Sequence, residues 1–121
     1  MALPHLAQIA GNGAEGSVSF SLVDYSNPNP AAAAFIKAYS AKYGSPPNPF
    51  AAAAYDGLQL WQKAVARAGG KTDPESVAAA MFGIDYEGVI GHFKITKENH
   101  TGLDASSYKP IVLKNGNWST M

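Results

Sequence analysis

The sequence predicts an α/β chain in which one strand precedes three helices and several short strands follow them. Three observations point there. Residues 17–23 alternate serine with apolar side chains, the period of a strand that is wet on one face. Three later segments open on Asn-Pro or Asp-Pro and close at glycine, which are helix start and stop signals. From Tyr86 onward the chemistry changes to short β-like runs punctuated by glycine. Too few strands lie between the helices for a sheet built from βαβ units.

Taken in order, residues 7–16 are small and polar and read as a loop. In the strand that follows, Val18, Phe20 and Leu22 share one face, expected to be buried, and the serines share the other. The run Asp24-Tyr25-Ser26-Asn27-Pro28 ends it with turn chemistry. Asn29 and Pro30 then start a helix that carries Ala32, Phe35, Ile36, Tyr39 and Tyr43 on one face and stops at Gly44. Ser45-Pro46-Pro47 is a stiff connector into the longest helix.

That helix has Asn48 as its N-cap, Pro49 at its first position, and Gly69 and Gly70 as a left-handed stop. Ala54, Leu58, Trp61, Val65 and Ala68 recur at three- and four-residue steps and are expected to face inward, with Leu60 and Ala64 beside them. Asp56, Gln59, Lys63 and Arg67 are expected on the opposite, wet side. At about 1.5 Å per residue the helix has the length of a membrane span, but its charges exclude that reading. A short third helix starts at Asp73-Pro74, or at a capping box of Thr72 and Glu75, turns Val77, Ala80 and Met81 inward, and ends near Gly83.

Residues 88–91 and 92–96 read as short β runs, and residues 97–102 as a polar turn. Residues 108–113 form a strand, with Pro110 marking its start or an edge. Asn115-Gly116 is a hairpin turn, across which Trp118 packs back.

Length and charge bound the function. A chain of 121 residues makes one modest domain. Nine basic residues balance nine acidic ones, so nothing draws the chain to nucleic acid or an anionic membrane. The absence of cysteine excludes disulfides and thiolate metal sites. The opening Met1-Ala2-Leu3-Pro4-His5-Leu6 lacks the basic and apolar regions of a signal peptide.

Catalytic and metal chemistry find no footing. His5, His92 and His100 make no i, i+4 ligand pair. Gly11, Gly13 and Gly16 match the dinucleotide fingerprint only in letters, because a strand follows where a helix is needed. Asp73 and Glu75 belong to a helix first turn, where carboxylates favour the positive end of the dipole. Asp85 and Glu87 lie in a short loop without evident tuning, and no serine sits in a nucleophile elbow. The sequons at Asn99 and Asn117 are of a kind common by chance. No enzyme, cofactor or metal is expected. Tyr25, Phe50, Tyr55 and Trp61 are candidates for the aromatic wall of a small-molecule site; Phe50 and Tyr55 are equally explained as helix packing, and Trp61 is better explained that way.

The order of several motifs resembles one family. Ala14-Glu15-Gly16-Ser17-Val18 is followed by Asn29-Pro30-Ala31-Ala32-Ala33-Ala34-Phe35-Ile36-Lys37-Ala38-Tyr39, then by Lys42-Tyr43-Gly44-Ser45-Pro46-Pro47. Next come Ala54-Tyr55-Asp56-Gly57-Leu58-Gln59-Leu60, Tyr86-Glu87-Gly88-Val89-Ile90-Gly91 and Lys114-Asn115-Gly116-Asn117-Trp118. Together they are similar to the branched-chain amino acid receptors of ABC importers, the type I periplasmic binding proteins. The resemblance implies part of a type I periplasmic-binding-protein fold, in which two α/β lobes joined by crossover segments close on a ligand. This sequence looks like the last third of such a receptor, one fragment-like domain over residues 1–121. Residues 18–87 then correspond to a crossover strand and first-lobe helices, and residues 88–118 to hinge and second-lobe strands.

The same resemblance implies a periplasmic or extracellular location, an ABC permease as partner, and an amino acid or related organic acid as ligand. Its ligand-lining helix end falls on Phe50, Ala52 and Tyr55, with Tyr25 nearby. Ala52 stands where some members carry a bulky aromatic, which leaves room for a larger ligand. The turn His100-Thr101-Gly102-Leu103-Asp104 is similar to members that bind aromatic or other organic acids. The alternative reading is a non-catalytic interaction or regulatory module derived from such a receptor. Broad apolar helix faces with few strands to cover predict a homo-oligomer or swapped dimer.

Overall fold

The structure, a computed structural model, describes residues 6–121, so His5 and the other opening residues lie outside it. The described chain runs α1 (Leu6–Ala10), a 3₁₀ turn (Gly11–Ala14), β1 (Val18–Ser21), α2 (Pro30–Tyr43), α3 (Pro49–Arg67) and α4 (Pro74–Met81). It continues with β2 (Asp85–Glu87), β3 (His92–Lys94), β4 (Lys109–Lys114) and β5 (Asn117–Thr120). The stretch expected as a loop is thus a short helix and a 3₁₀ turn. The alanines and leucine of Leu6-Ala7-Gln8-Ile9-Ala10 support that turn of helix before Gly11 releases it.

The three expected helices form with the expected ends. Asn29, Asn48 and Asp73 each accept an amide hydrogen bond three residues on, from Ala32, Ala51 and Ser76. Asp73 is therefore the cap of α4 rather than Thr72. Helix α3 ends in a Schellman arrangement: Gly70 N–H reaches Val65 O at 2.9 Å and Gly69 N–H reaches Ala66 O at 3.2 Å. No helix among the described residues is long and apolar enough to cross a membrane.

All strand pairings are antiparallel. One sheet has the order β1-β4-β5 and the other is the β2-β3 hairpin. The chain leaves the first sheet at Ser21 and re-enters it at Lys109, directly opposite. Between those two residues it builds a separate layer of helices, into which Val89, Ile90, Phe93 and Ile95 pack with Ala32, Ala52, Leu60, Ala64 and Val77. Asn115 and Gly116 both take positive φ, as the tight β4-β5 turn requires. Pro110 is the second residue of β4, near its start as expected. Residues 88–91, expected as a β run, are instead the turn of the β2-β3 hairpin, closed by Gly88 N–H to Gly91 O at 2.9 Å.

The β1 face is inverted relative to expectation, and the α3 face is shifted: Leu60, Ala64 and Val65 point inward and Lys63 and Arg67 outward as expected, while Asp56, Leu58 and Trp61 change sides. In β1, Val18 and Phe20 are 59% and 57% exposed, while Ser21 is buried. The register Val18↔Val112 and Ser19↔Ile111 makes β1 follow β4, whose Ile111 and Leu113 are the buried residues, so Val18 and Phe20 share the outward face. In α3, Pro49, Ala52, Asp56, Leu60 and Ala64 face inward, and Leu58 and Trp61 face out. The cause is Asp56, fully buried because two backbone amides and a phenol need its oxygens.

Candidate functional site

The segment leaving β1 divides two cavities. Extended chain sends alternate side chains to opposite sides, so Ser21, Val23 and Tyr25 line one cavity while Leu22 and Asp24 line the other.

The first is a groove of about 790 Å³. Its walls come from Ile36 and Tyr39 of α2, the connector residues Ser45, Pro46, Pro47, Asn48 and Pro49, and Ile111, Trp118 and Thr120 of the sheet. The connector's prolines hold a backbone that cannot relax, and Pro47 and Pro49 are buried. Tyr25 O–H donates to Pro47 O at 2.6 Å, which pins the ring against the start of α3. Burial pushes the Tyr25 phenol above its usual value. Among the described residues no charged side chain lines the groove.

The second cavity, about 450 Å³, is polar and carries Asp24, Glu87, His92 and Lys109. Asp24 Oδ1 accepts from Ser26 Oγ at 2.6 Å, Ser26 N at 3.0 Å, Asn27 N at 3.1 Å and Thr120 Oγ1 at 3.1 Å. The Ser26 hydroxyl leads the contacts that hold this carboxyl below its usual value. Asn29 caps α2 with its oxygen and uses its Nδ2 on Glu87 and on Gly88 O. Among the described residues no three His, Asp or Glu side chains are grouped as metal ligands.

The four site residues expected from the sequence do not converge. Tyr25 lines the groove. Phe50, 57% exposed, follows the groove residue Pro49. Ala52 is fully buried in the core. Tyr55 packs against Phe35 with tilted rings 4.8 Å apart, continuing a row of rings through Tyr39 and Tyr43. The turn at His100 lines neither cavity; its ring lies 5.5 Å from Phe82. Sequence reasoning missed Tyr39 and Trp118 as groove residues, because both fit helix or hairpin packing equally well. Proline density at positions 46, 47 and 49 was the available signal for a rigid wall.

Comparison with known proteins finds one matching family and several similar solved structures. The sequence model of a family described as "periplasmic binding protein" matches residues 1–108. A leucine-binding protein from Thermotoga maritima superposes with a TM-score of 0.83 at 27% identity, over 98% of this chain and 33% of that one. A putative branched-chain amino acid ABC transporter protein from Rhodospirillum rubrum gives 0.72 at 27% identity, over 100% and 35%. A solute-binding protein from R. palustris in complex with benzoate gives 0.77 at 25% identity, over 96% and 32%. The chain spans about a third of the length of these solved proteins. Comparison with curated protein sequences returns no match.

Proposed function

The chain belongs to the periplasmic binding protein family, and from that premise we propose that it supplies one wall and the hinge of a receptor for an amino acid or related organic acid. The family binds small solutes for ABC importers, so capture is reversible and without chemistry, outside the cytoplasmic membrane, with a permease as the downstream partner. The observation that carries this reading is the groove beside the start of α3, where Tyr25 is locked onto Pro47. Tyr25 forms its floor, Phe50 extends its rim, and Ala52 and Tyr55 set the position of the helix that carries Phe50.

The lobe boundary also belongs to this proposal. Ser21 and Lys109 are paired where the chain leaves and re-enters the sheet, as two crossover segments of a hinge are. Val89, Ile90, Phe93 and Ile95 pack with the helices, which supports a change of lobe near Tyr108 rather than at Gly88. Self-association remains part of the reading through the outward Leu58, Trp61, Val18 and Phe20.

Isothermal titration of the chain with leucine, other amino acids and benzoate tests the reading. Saturable binding of one of them, with a matching rise in melting temperature, is the expected result. Heat flow that never saturates for any of them rejects it.

A further inference from the structure

The groove has one wall on each of two separately packed layers. Ile111 and Leu113 are buried in the sheet, while the helices and the β2-β3 hairpin pack around a cluster that includes neither. Ile111 and Trp118 wall the groove from the sheet; Ile36, Tyr39 and Pro47 wall it from the helices. Between the walls runs the segment of residues 22–29, and consecutive residues of it hold opposite sides. On the helical side, Tyr25 O–H donates to Pro47 O at 2.6 Å. On the sheet side, the Thr120 hydroxyl of β5 donates to Asp24 Oδ1 at 3.1 Å, across a sequence separation of 96 residues.

Asp24 Oδ1 is also the closing atom of the turn around Tyr25. It accepts Ser26 Oγ at 2.6 Å, Ser26 N–H at 3.0 Å and Asn27 N–H at 3.1 Å. Ser26 Oγ lies 3.1 Å from Thr120 Oγ1, so both hydroxyls converge on one carboxylate oxygen. An ionised acceptor makes such bonds stronger than neutral ones. Among the described residues, Thr120 supplies the only side-chain hydrogen bonds from the sheet to this turn. We propose that Thr120 is a positioning residue for the groove: through Asp24 and Ser26 its hydroxyl holds Tyr25 against Pro47 and so sets the sheet wall relative to the helix wall. Its bearing on the ligand rests on the reading of the groove as the binding site; the clasp itself is measurable without one.

Two substitutions split the threonine side chain. Thr120→Val keeps its shape and β propensity and drops the hydroxyl, whereas Thr120→Ser keeps the hydroxyl and drops the methyl. If threonine served β5 by packing alone, valine would be neutral and serine harmful. A hydroxyl clasp gives the reverse. By NMR on the unliganded chain, hydrogen exchange of the Ser26 and Asn27 amides is expected to quicken about fivefold in Thr120→Val. The Tyr25 ring resonances should move toward those of a free tyrosine, while the amides of the core residues Leu60 and Ala64 keep their protection. Thr120→Ser should match the parent. A valine variant indistinguishable from the parent, or a serine variant changed as much as the valine one, overturns the clasp. Whichever of leucine, other amino acids or benzoate saturates the parent should bind Thr120→Val about fivefold more weakly, and equal affinity overturns its part in the groove. Titrations that never saturate reject the receptor reading and leave the exchange rates to decide the clasp.

Discussion

Asp56, in the middle of α3, accepts the backbone N–H of Ile90 at 2.8 Å across a sequence separation of 34 residues. Its other oxygen takes Val89 N–H at 2.9 Å and Tyr86 O–H at 3.3 Å. Asn29 Nδ2 meanwhile holds the Gly88 carbonyl at 3.0 Å. One hairpin turn is therefore tied to the start of α2 and the centre of α3, the two helices that shape the groove. Burial raises the Asp56 carboxyl above its usual value against the pull of those amides, and burial with the Asp56 charge pushes the Tyr86 phenol up to about 12.

Replacing Asp56 by asparagine turns one acceptor into a donor facing an amide that already donates. A buried N–H left unmatched costs about 1–3 kcal/mol. Asp56→Asn is expected to lower the unfolding free energy by about that amount in urea titration. A stability equal to the parent's would show that the carboxylate is dispensable to the turn.

Gly88 and Gly57 make an opposed pair. A Cβ at Gly88 would stand 2.7 Å from Asp56 Oδ2 and 2.8 Å from the Phe93 ring, while one at Gly57 meets nothing within 4 Å. Gly88→Ala is expected to destabilise by about 1–3 kcal/mol through overpacking. Gly57→Ala, on an exposed turn of α3, should stabilise by about 0.5–1 kcal/mol through helix propensity. Thermal melts of the two variants moving in the same direction would contradict the geometry.

His92 and Asp85 form an exposed pair at 2.5 Å, the carboxylate hydrogen bond raising the imidazole value and the imidazole lowering the carboxyl's. A raised histidine contributes stability below its ordinary value of 6.5, lost as pH rises through the folded value. A lowered carboxylate contributes above its ordinary 3.8, lost as pH falls through its folded value. The pair's contribution is thus fullest between those two ordinary values. In Asp85→Asn, proton NMR should find His92 titrating at lower pH than in the parent; an unmoved midpoint refutes the pairing.

Tyr25→Phe removes one hydrogen bond to Pro47 and leaves the ring. A loss of about 0.5–1.5 kcal/mol in stability is expected, together with weaker ligand binding as the groove floor loosens. Calorimetry on the variant would separate the two effects, and full retention of both would dissociate Tyr25 from the site.

The outward Leu58 and Trp61 lead to a prediction about association. Light scattering across a concentration series should show the mean mass rising, and Leu58→Glu should shift that rise to higher concentration. A mass constant at 12.7 kDa would remove self-association from the reading.

Local chemistry alone determined the helices, their caps and stops and the tight turn at Asn115-Gly116, because each depends on neighbours within a few residues, and the order of motifs along the chain carried the family resemblance. Tertiary structure decided which way the elements face. Hydropathy puts Asp56 in water and Val18 and Phe20 in the core; the fold does the reverse, because distant amides at Val89 and Ile90 need an acceptor and β1 takes its register from Ile111 and Leu113. The same holds for the groove. Tyr25, Pro47 and Trp118 are far apart in the chain, and only the return of β4 beside β1 brings their surfaces together.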